Sequence, residues 1–153
     1  MDFWLKAQAE QNSKGIFIDD GVKQITFGKM YDSAKRLAYS LKQLELNRIG
    51  LYINNTIESI VLINAAWVAG IEIAMVNTRL TKKEMIAQMK SIDVSTIITM
   101  EQLHLRDIEV IDFQTLQTQE GYEFEAPFSN DRIASIMFTS GTTGPQKAVP
   151  RTF

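Results

Sequence analysis

Apolar residues recur along this chain in two rhythms, and the alternation between them predicts an architecture. Between Phe27 and Leu44, the residues Met30, Ala34, Leu37, Ala38, Leu41 and Leu44 fall three or four positions apart, with Lys35, Arg36, Lys42 and Gln43 between them. That spacing lines one face of an amphipathic helix, expected to be the first in the chain. "RIGLYI", Arg48 to Ile53, is a short β-rich run closed by Asn54 and Asn55. Asn55 is expected to cap the next helix with Glu58 returning the bond, and the apolar positions from Ile60 to Val68 make that helix mostly buried. Gly70 then ends it, and "IEIAMV" follows as a strand.

Thr81 and Glu84 have the spacing of a capping box, opening a helix whose Met85, Ile86, Met89 and Ile92 lie on one side. "STIITM" and "EVIDF" are two further strands. From Arg48 to Met100 the order is therefore strand, helix, strand, helix, strand. Near-continuous apolar strands in that setting imply the α/β class, with a mostly parallel sheet flanked by helices. Between Gln114 and Asn130 the periodicity is lost, which predicts a surface connector. After Asp131 and Arg132, "IASIMF" restores a buried strand.

Composition narrows the functional classes. The chain of 153 residues fits one domain with a real core, and its net charge of -2 gives no general attraction to nucleic acid or an anionic membrane. It contains no cysteine, so disulfides and thiolate metal sites are excluded. The N-terminal "MDFWLKAQAEQNSK" is too polar for the core of a signal peptide. The most apolar window, Ile60 to Val76, is interrupted by Asn64, Gly70 and Glu72 and is too short to span a bilayer. A cytoplasmic protein, with no nucleic-acid partner and no membrane insertion, is expected.

The chemistry is concentrated near the end, in "IMFTSGTTGPQKAVP". Gly141 and Gly144 allow close approach of a ligand to the backbone, the hydroxyls of Thr139, Ser140, Thr142 and Thr143 add short donors, and Lys147 adds a mobile positive charge. A polyphosphate suits all of these. A plain turn is built from the same residue types, so both readings stand on composition. Rival motifs fail: Pro145 stands where a Walker loop needs lysine, and Phe138 and Thr142 stand where a nucleophile elbow around Ser140 needs glycine.

The contiguous run Thr139-Ser140-Gly141-Thr142-Thr143-Gly144 followed by Lys147 resembles the phosphate-loop signature of the adenylate-forming superfamily, which includes acyl-CoA synthetases, peptide-synthetase adenylation domains and luciferases. The element order, "VNTRLTKKEM" and the N-terminal "MDFWLKAQAEQN" extend that resemblance to the first part of an acid–CoA ligase. It implies that residues 1–153 are the first subdomain of a large N-terminal AMP-binding domain, with the rest of that domain and a C-terminal domain absent. It further implies that ATP activates a small-molecule carboxylic acid with release of pyrophosphate, and that coenzyme A then takes the acyl group. Thr139, Ser140, Gly141, Thr142, Thr143, Gly144 and Lys147 would hold the ATP phosphates, with Mg2+ shielding their charge. No catalytic residue and no metal ligand is implied within these 153 residues, which are expected to form no acyl-adenylate alone.

The signature departs from the family pattern in one respect. Many members carry Lys-Pro between the second glycine and the retained lysine, and a glycine after it. Here Pro145 and Gln146 precede Lys147, and Ala148 follows it. Among other residues that invite attention, His104 has no second imidazole or thiol and is expected at the surface. Asp19 with Asp20 marks a turn, and Glu123 with Glu125 is expected to be solvated charge. Met85, Met89 and Trp67 are expected to pack, and Tyr52 and Arg79 lie at strand ends without a demonstrable role. The competing class is a non-catalytic α/β module in which the loop is only a turn.

Overall fold

The computed structural model of the protein describes residues 2–139 and 146–153. The described residues fall into two units, one built from residues up to 46 together with 55–70 and 116–129, the other from 47–54, 71–115 and residues from 130 onward.

The first unit is helical with a small hairpin. Its helices are α1 (Trp4–Gln11), α2 (Phe27–Lys42) and α3 (Ile57–Val68), and its hairpin pairs β1 (Ile16–Asp19) with β2 (Gln24–Thr26). The helix beginning at Phe27 is thus the second, not the first. α1 escapes a periodicity search because it buries only Leu5 and Ala9 and has no side-chain cap at Phe3. The strands beside it, of four and three residues, are too short to show alternation. α2 follows the expected pattern: Thr26 caps it by accepting from the Lys29 N–H at 3.2 Å, and Met30, Tyr31, Ala34, Leu37, Ala38 and Leu41 form its buried stripe.

The cap of α3 is Thr56, not Asn55. Thr56 has the extended backbone of an N-cap, and its hydroxyl accepts from the Ser59 N–H at 3.2 Å. The capping position is fixed by which oxygen reaches the third helical amide, and with Ile57 first that amide belongs to Ser59. Glu58 therefore stands in the first turn, where its carboxylate meets Lys23 of the hairpin at 3.0 Å. The carboxylate's bond to its own backbone amide, and then this side-chain bond to Lys23, hold Glu58 below its ordinary pKa. Gly70, at φ 79°, takes the left-handed conformation expected where α3 ends.

The connector is fastened rather than loose. Within the first unit, the Phe124 N–H donates to Lys35 O at 3.1 Å and the Ala126 N–H to Val68 O at 2.8 Å. Glu123 pairs with Lys35 at 3.2 Å and Glu125 with Lys6 at 3.4 Å, while the Tyr31 hydroxyl donates to Glu125. These two acids are thus pins against α1 and α2 rather than simply solvated charge. Phe3 packs its ring edge against Trp67, confirming a packing role for that indole.

The second unit is built on a six-stranded sheet of described residues, in the order β6-β5-β3-β4-β7-β8. Its strands are β3 (Arg48–Tyr52), β4 (Glu72–Met75), β5 (Thr96–Thr99), β6 (Glu109–Asp112), β7 (Ile133–Thr139) and β8 (Lys147–Thr152). All neighbours from β6 to β7 are parallel, and β8 alone runs antiparallel at the edge. A mostly parallel α/β sheet is what the strand-helix alternation predicted. α4 (Lys82–Ser91) covers part of it, opened by the Thr81–Glu84 capping box and burying Met85 and Met89 among Val76, Ile97 and their neighbours.

Two contacts hold this unit's packing. Arg48 at the start of β3 brings Nε and Nη2 to one Glu72 oxygen of β4, Oε2, at 2.6 and 2.5 Å, and donates a third bond to Ile92 O at 2.7 Å. Gly50, in mid-β3, lets α4 approach: a Cβ there would lie 2.8 Å from Ile97 Cγ1 and 3.0 Å from Met89 Sδ. Such a contact forces side chains out of their rotamers.

Three outcomes follow for stability. Gly50→Ala should destabilise the protein by about 1–3 kcal/mol, measured by urea unfolding. Thr56→Ala should cost about 1 kcal/mol in the same assay, whereas Asn55→Ala should be close to neutral. The β1–β2 turn supplies a pH dependence. The Asp19 carboxylate accepts from the Gly21 N–H at 2.9 Å, and the Asp20 carboxylate accepts from Val22 and Lys23. These backbone bonds hold both acids below their ordinary value of 3.8 in the folded state. A carboxylate depressed on folding stabilises above the unfolded value, so this contribution should be present above pH 3.8 and fade as the pH falls further. Replacing both acids by alanine should flatten the acid limb of a stability–pH profile.

Candidate phosphate-binding hairpin

β7 alternates between a buried and an outward face. Ala134 and Ile136 are buried, Phe138 packs against the cluster around Met85 and Met89, and Met137 and Thr139 are exposed. The apolar residues hold the strand in place, and Thr139 is its last member. β8 returns beside it, pairing Met137 with Val149, Phe138 with Ala148 and Thr139 with Lys147. Pro150 is tolerated because β8 is an edge strand, where a missing N–H costs no ladder bond to a further neighbour.

The two ends of the loop are therefore opposed. Facing residues of an antiparallel pair have Cα atoms about 4.5–5.5 Å apart. Across this pair the Thr139 hydroxyl donates to Lys147 O at 3.4 Å, leaving the Lys147 side chain exposed. Ser140, Gly141, Thr142, Thr143 and Gly144 lie outside the described residues, so the structure brings together only Thr139 and Lys147 of the sequence-derived set. The backbones of those two are rungs of a ladder. What they offer beyond the ladder is a hydroxyl and an ammonium group.

The departures from the family signature acquire physical reasons here. Ala148 occupies a strand position opposite Phe138, and an extended backbone takes a side chain without strain. Gln146 is half-buried, and its side-chain carbonyl accepts from the Gln88 amide of α4 at 2.7 Å. Sequence reasoning did not find Gln88, since a polar residue in mid-helix gives no signal of what it touches.

The hairpin mouth lies at the C-terminal end of the parallel strands, the edge where ligands bind in open α/β sheets. Tyr52 ends β3 on the same edge and is partly buried against the sheet cluster. Arg79 is exposed in the turn before α4, where its N–H donates to Asn77 Oδ1 at 3.0 Å. His104 is also exposed, as expected, and borders an open cleft with Glu101, Leu105 and Asp112. Among the described residues no three His, Asp or Glu side chains converge on a point where an ion could be held. Mg2+ that accompanies a nucleotide is held chiefly by phosphates and waters with one or two carboxylates, and needs no such cluster. No helix among them is long and apolar enough to cross a membrane.

A mostly parallel sheet in which β7 leads into a glycine- and hydroxyl-rich sequence and β8 begins at a lysine is compatible with one class, and the sequence comparison agrees. The chain belongs to the AMP-binding enzyme family, whose profile matches residues 5–153. Among its relatives, the 2-succinylbenzoate–CoA ligase of Staphylococcus epidermidis is 48% identical over 154 positions, covering all of this chain and 32% of that protein. The ligase of the same name from Staphylococcus aureus strain Newman is 44% identical over 183 positions, again covering all of this chain and 37% of the relative. Among solved structures, the o-succinylbenzoate CoA synthetase of Bacillus subtilis in complex with its acyl-adenylate intermediate superposes with a TM-score of 0.90 at 25% identity, over 100% of this chain and 43% of that one. The chain spans about a third of the length of its curated relatives.

Proposed function

We propose that this chain carries the ATP-phosphate grip of an acid–CoA ligase whose acid is 2-succinylbenzoate. The observation that carries the reading is the opposition of Thr139 and Lys147 at the mouth of the β7–β8 hairpin, flanking a sequence of glycines and hydroxyls. Its support beyond the geometry is the likeness over the whole chain to ligases of that name. ATP, Mg2+, coenzyme A and the acid are the small molecules this function requires. Thr139, Ser140, Gly141, Thr142, Thr143, Gly144 and Lys147 are the proposed contacts to the ATP phosphates.

In this reaction a carboxylate oxygen of the acid attacks the α-phosphorus of ATP, and the bond from that phosphorus to the α–β bridging oxygen breaks. Pyrophosphate leaves with the electron pair, and the thiol sulfur of coenzyme A then displaces AMP from the acyl carbon. The present residues act on the leaving group. Negative charge grows on the departing pyrophosphate, and the Lys147 ammonium, carried on a flexible stem from an anchored strand, neutralises it as it develops. The Thr139 hydroxyl supplies a short donor beside it, exchanging the Lys147 carbonyl for a phosphate oxygen. Neither residue forms a covalent bond to substrate.

A charge-assisted hydrogen bond contributes roughly 1.5–3 kcal/mol, so one lysine and one hydroxyl give weak affinity by themselves. Firm binding of ATP requires further contacts, consistent with relatives about three times as long as this chain.

The test is ATP–pyrophosphate exchange in a protein of the relatives' full length that carries residues 1–153. Exchange should depend on added 2-succinylbenzoate above other aromatic and fatty acids. Lys147→Ala should lower kcat/KM for ATP by roughly 10- to 100-fold. Equal exchange with a fatty acid would assign the chain to another ligase of the family, and an inert Lys147→Ala would make the loop a plain turn. The 153-residue chain alone should release no pyrophosphate above its own Lys147→Ala control.

A further inference from the structure

Lys147 is effective only if the start of β8 is held, and the residue before it is tied to a helix. α4 is a firm anchor: its capping box fixes its first turn, and Met85 and Met89 bury its inner face. Gln88 stands on that helix half-buried, one position before Met89, and its amide donates to Gln146 Oε1 at 2.7 Å. Gln146 immediately precedes Lys147, whose other constraint is its pairing with Thr139. Gln146 also occupies the place where the family signature often has proline. A proline stiffens the chain through its own ring, whereas glutamine leaves the backbone freer and needs an external restraint.

We propose that Gln88 is a positioning residue for ATP: through its bond to Gln146 it fixes where the Lys147 ammonium can reach, without itself touching phosphate. The inference rests on the phosphate-grip reading above. It assigns to α4 a role that the loop signature does not contain. The side-chain bond supplies to the loop's exit the restraint that the displaced proline no longer gives. It also couples the helix after β4 to the last strand of the sheet, so a change at Gln88 is felt at Lys147 rather than at the acid.

The experiment uses a protein of the relatives' full length carrying residues 1–153, with Gln88→Ala, Gln146→Ala, the double variant, Gln88→Glu and Lys147→Ala. KM for ATP, KM for the acid, kcat and the melting temperature are read for each. Gln88→Ala and Gln146→Ala should each raise KM for ATP by about five-fold, the effect of losing one net hydrogen bond. The double variant should show the same rise rather than its square, because both changes break one bond. KM for the acid should stay unchanged. Gln88→Glu should return KM for ATP towards the parent value, since its carboxylate can accept from the Gln146 amide.

Three results overturn the proposal: an unchanged KM for ATP in Gln88→Ala, multiplying effects in the double variant, or equal rises for ATP and acid with a lowered melting temperature. A Lys147→Ala variant with parent kinetics would remove the phosphate-grip reading and this inference together. A defective Lys147→Ala beside a silent Gln88→Ala would remove this inference alone.

Discussion

The pairing of Thr139 with Lys147 across β7 and β8 is the constraint on which the functional reading depends. Without it, the glycine-rich segment would be an appendage with two unrelated ends. With it, a hydroxyl and an ammonium group are held on opposite strands of one ladder, and the loop between them must begin and end there. The ladder is itself secured from below, because Ala134 and Ile136 are buried and β7 is paired to β4 at Ser135 and Ile136. Core packing in the sheet thus fixes the positions of Thr139 and Lys147.

Little of the remaining polar chemistry reads as a site, because it is taken up by structure. The ionic contacts of Glu72, Glu123 and Glu125 fasten elements to one another, and Asp19 and Asp20 close a turn. These acids are committed to structure. An adenylate-forming reaction asks for a concentration of positive charge against a polyphosphate, and in the proposed signature that charge is the single Lys147. Placing Pro145 where a second lysine often stands makes the position of that one cation matter more. The bond between Gln88 and Gln146 gains its interest from this.

Much of the architecture was legible in the sequence, and the reasons are specific. β3, β4 and β5 announce themselves because they are buried on both faces and read as continuous apolar runs between capped helices. α2 is legible because sixteen residues allow the helical period to repeat. α1 and the β1–β2 hairpin were not, since eight, four and three residues leave no period to detect. The cap of α3 was misplaced by one residue because Asn55 and Thr56 are both good capping types, and only the third amide chooses between them. The signature is six contiguous residues, of which only Thr139 lies among the described ones, and the strand pairing beside it was not legible. A strand returning after it, and a glutamine fifty-eight positions earlier holding its exit, are long-range facts that no local pattern carries.

The most direct measurement is an amide-resonance titration of this chain with ATP and with pyrophosphate. Shifts should be confined to residues 139 to 147, saturate at about millimolar ligand and weaken in Lys147→Ala. An unchanged spectrum, or shifts centred on the cleft beside His104 with the hairpin silent, would contradict the phosphate-grip reading.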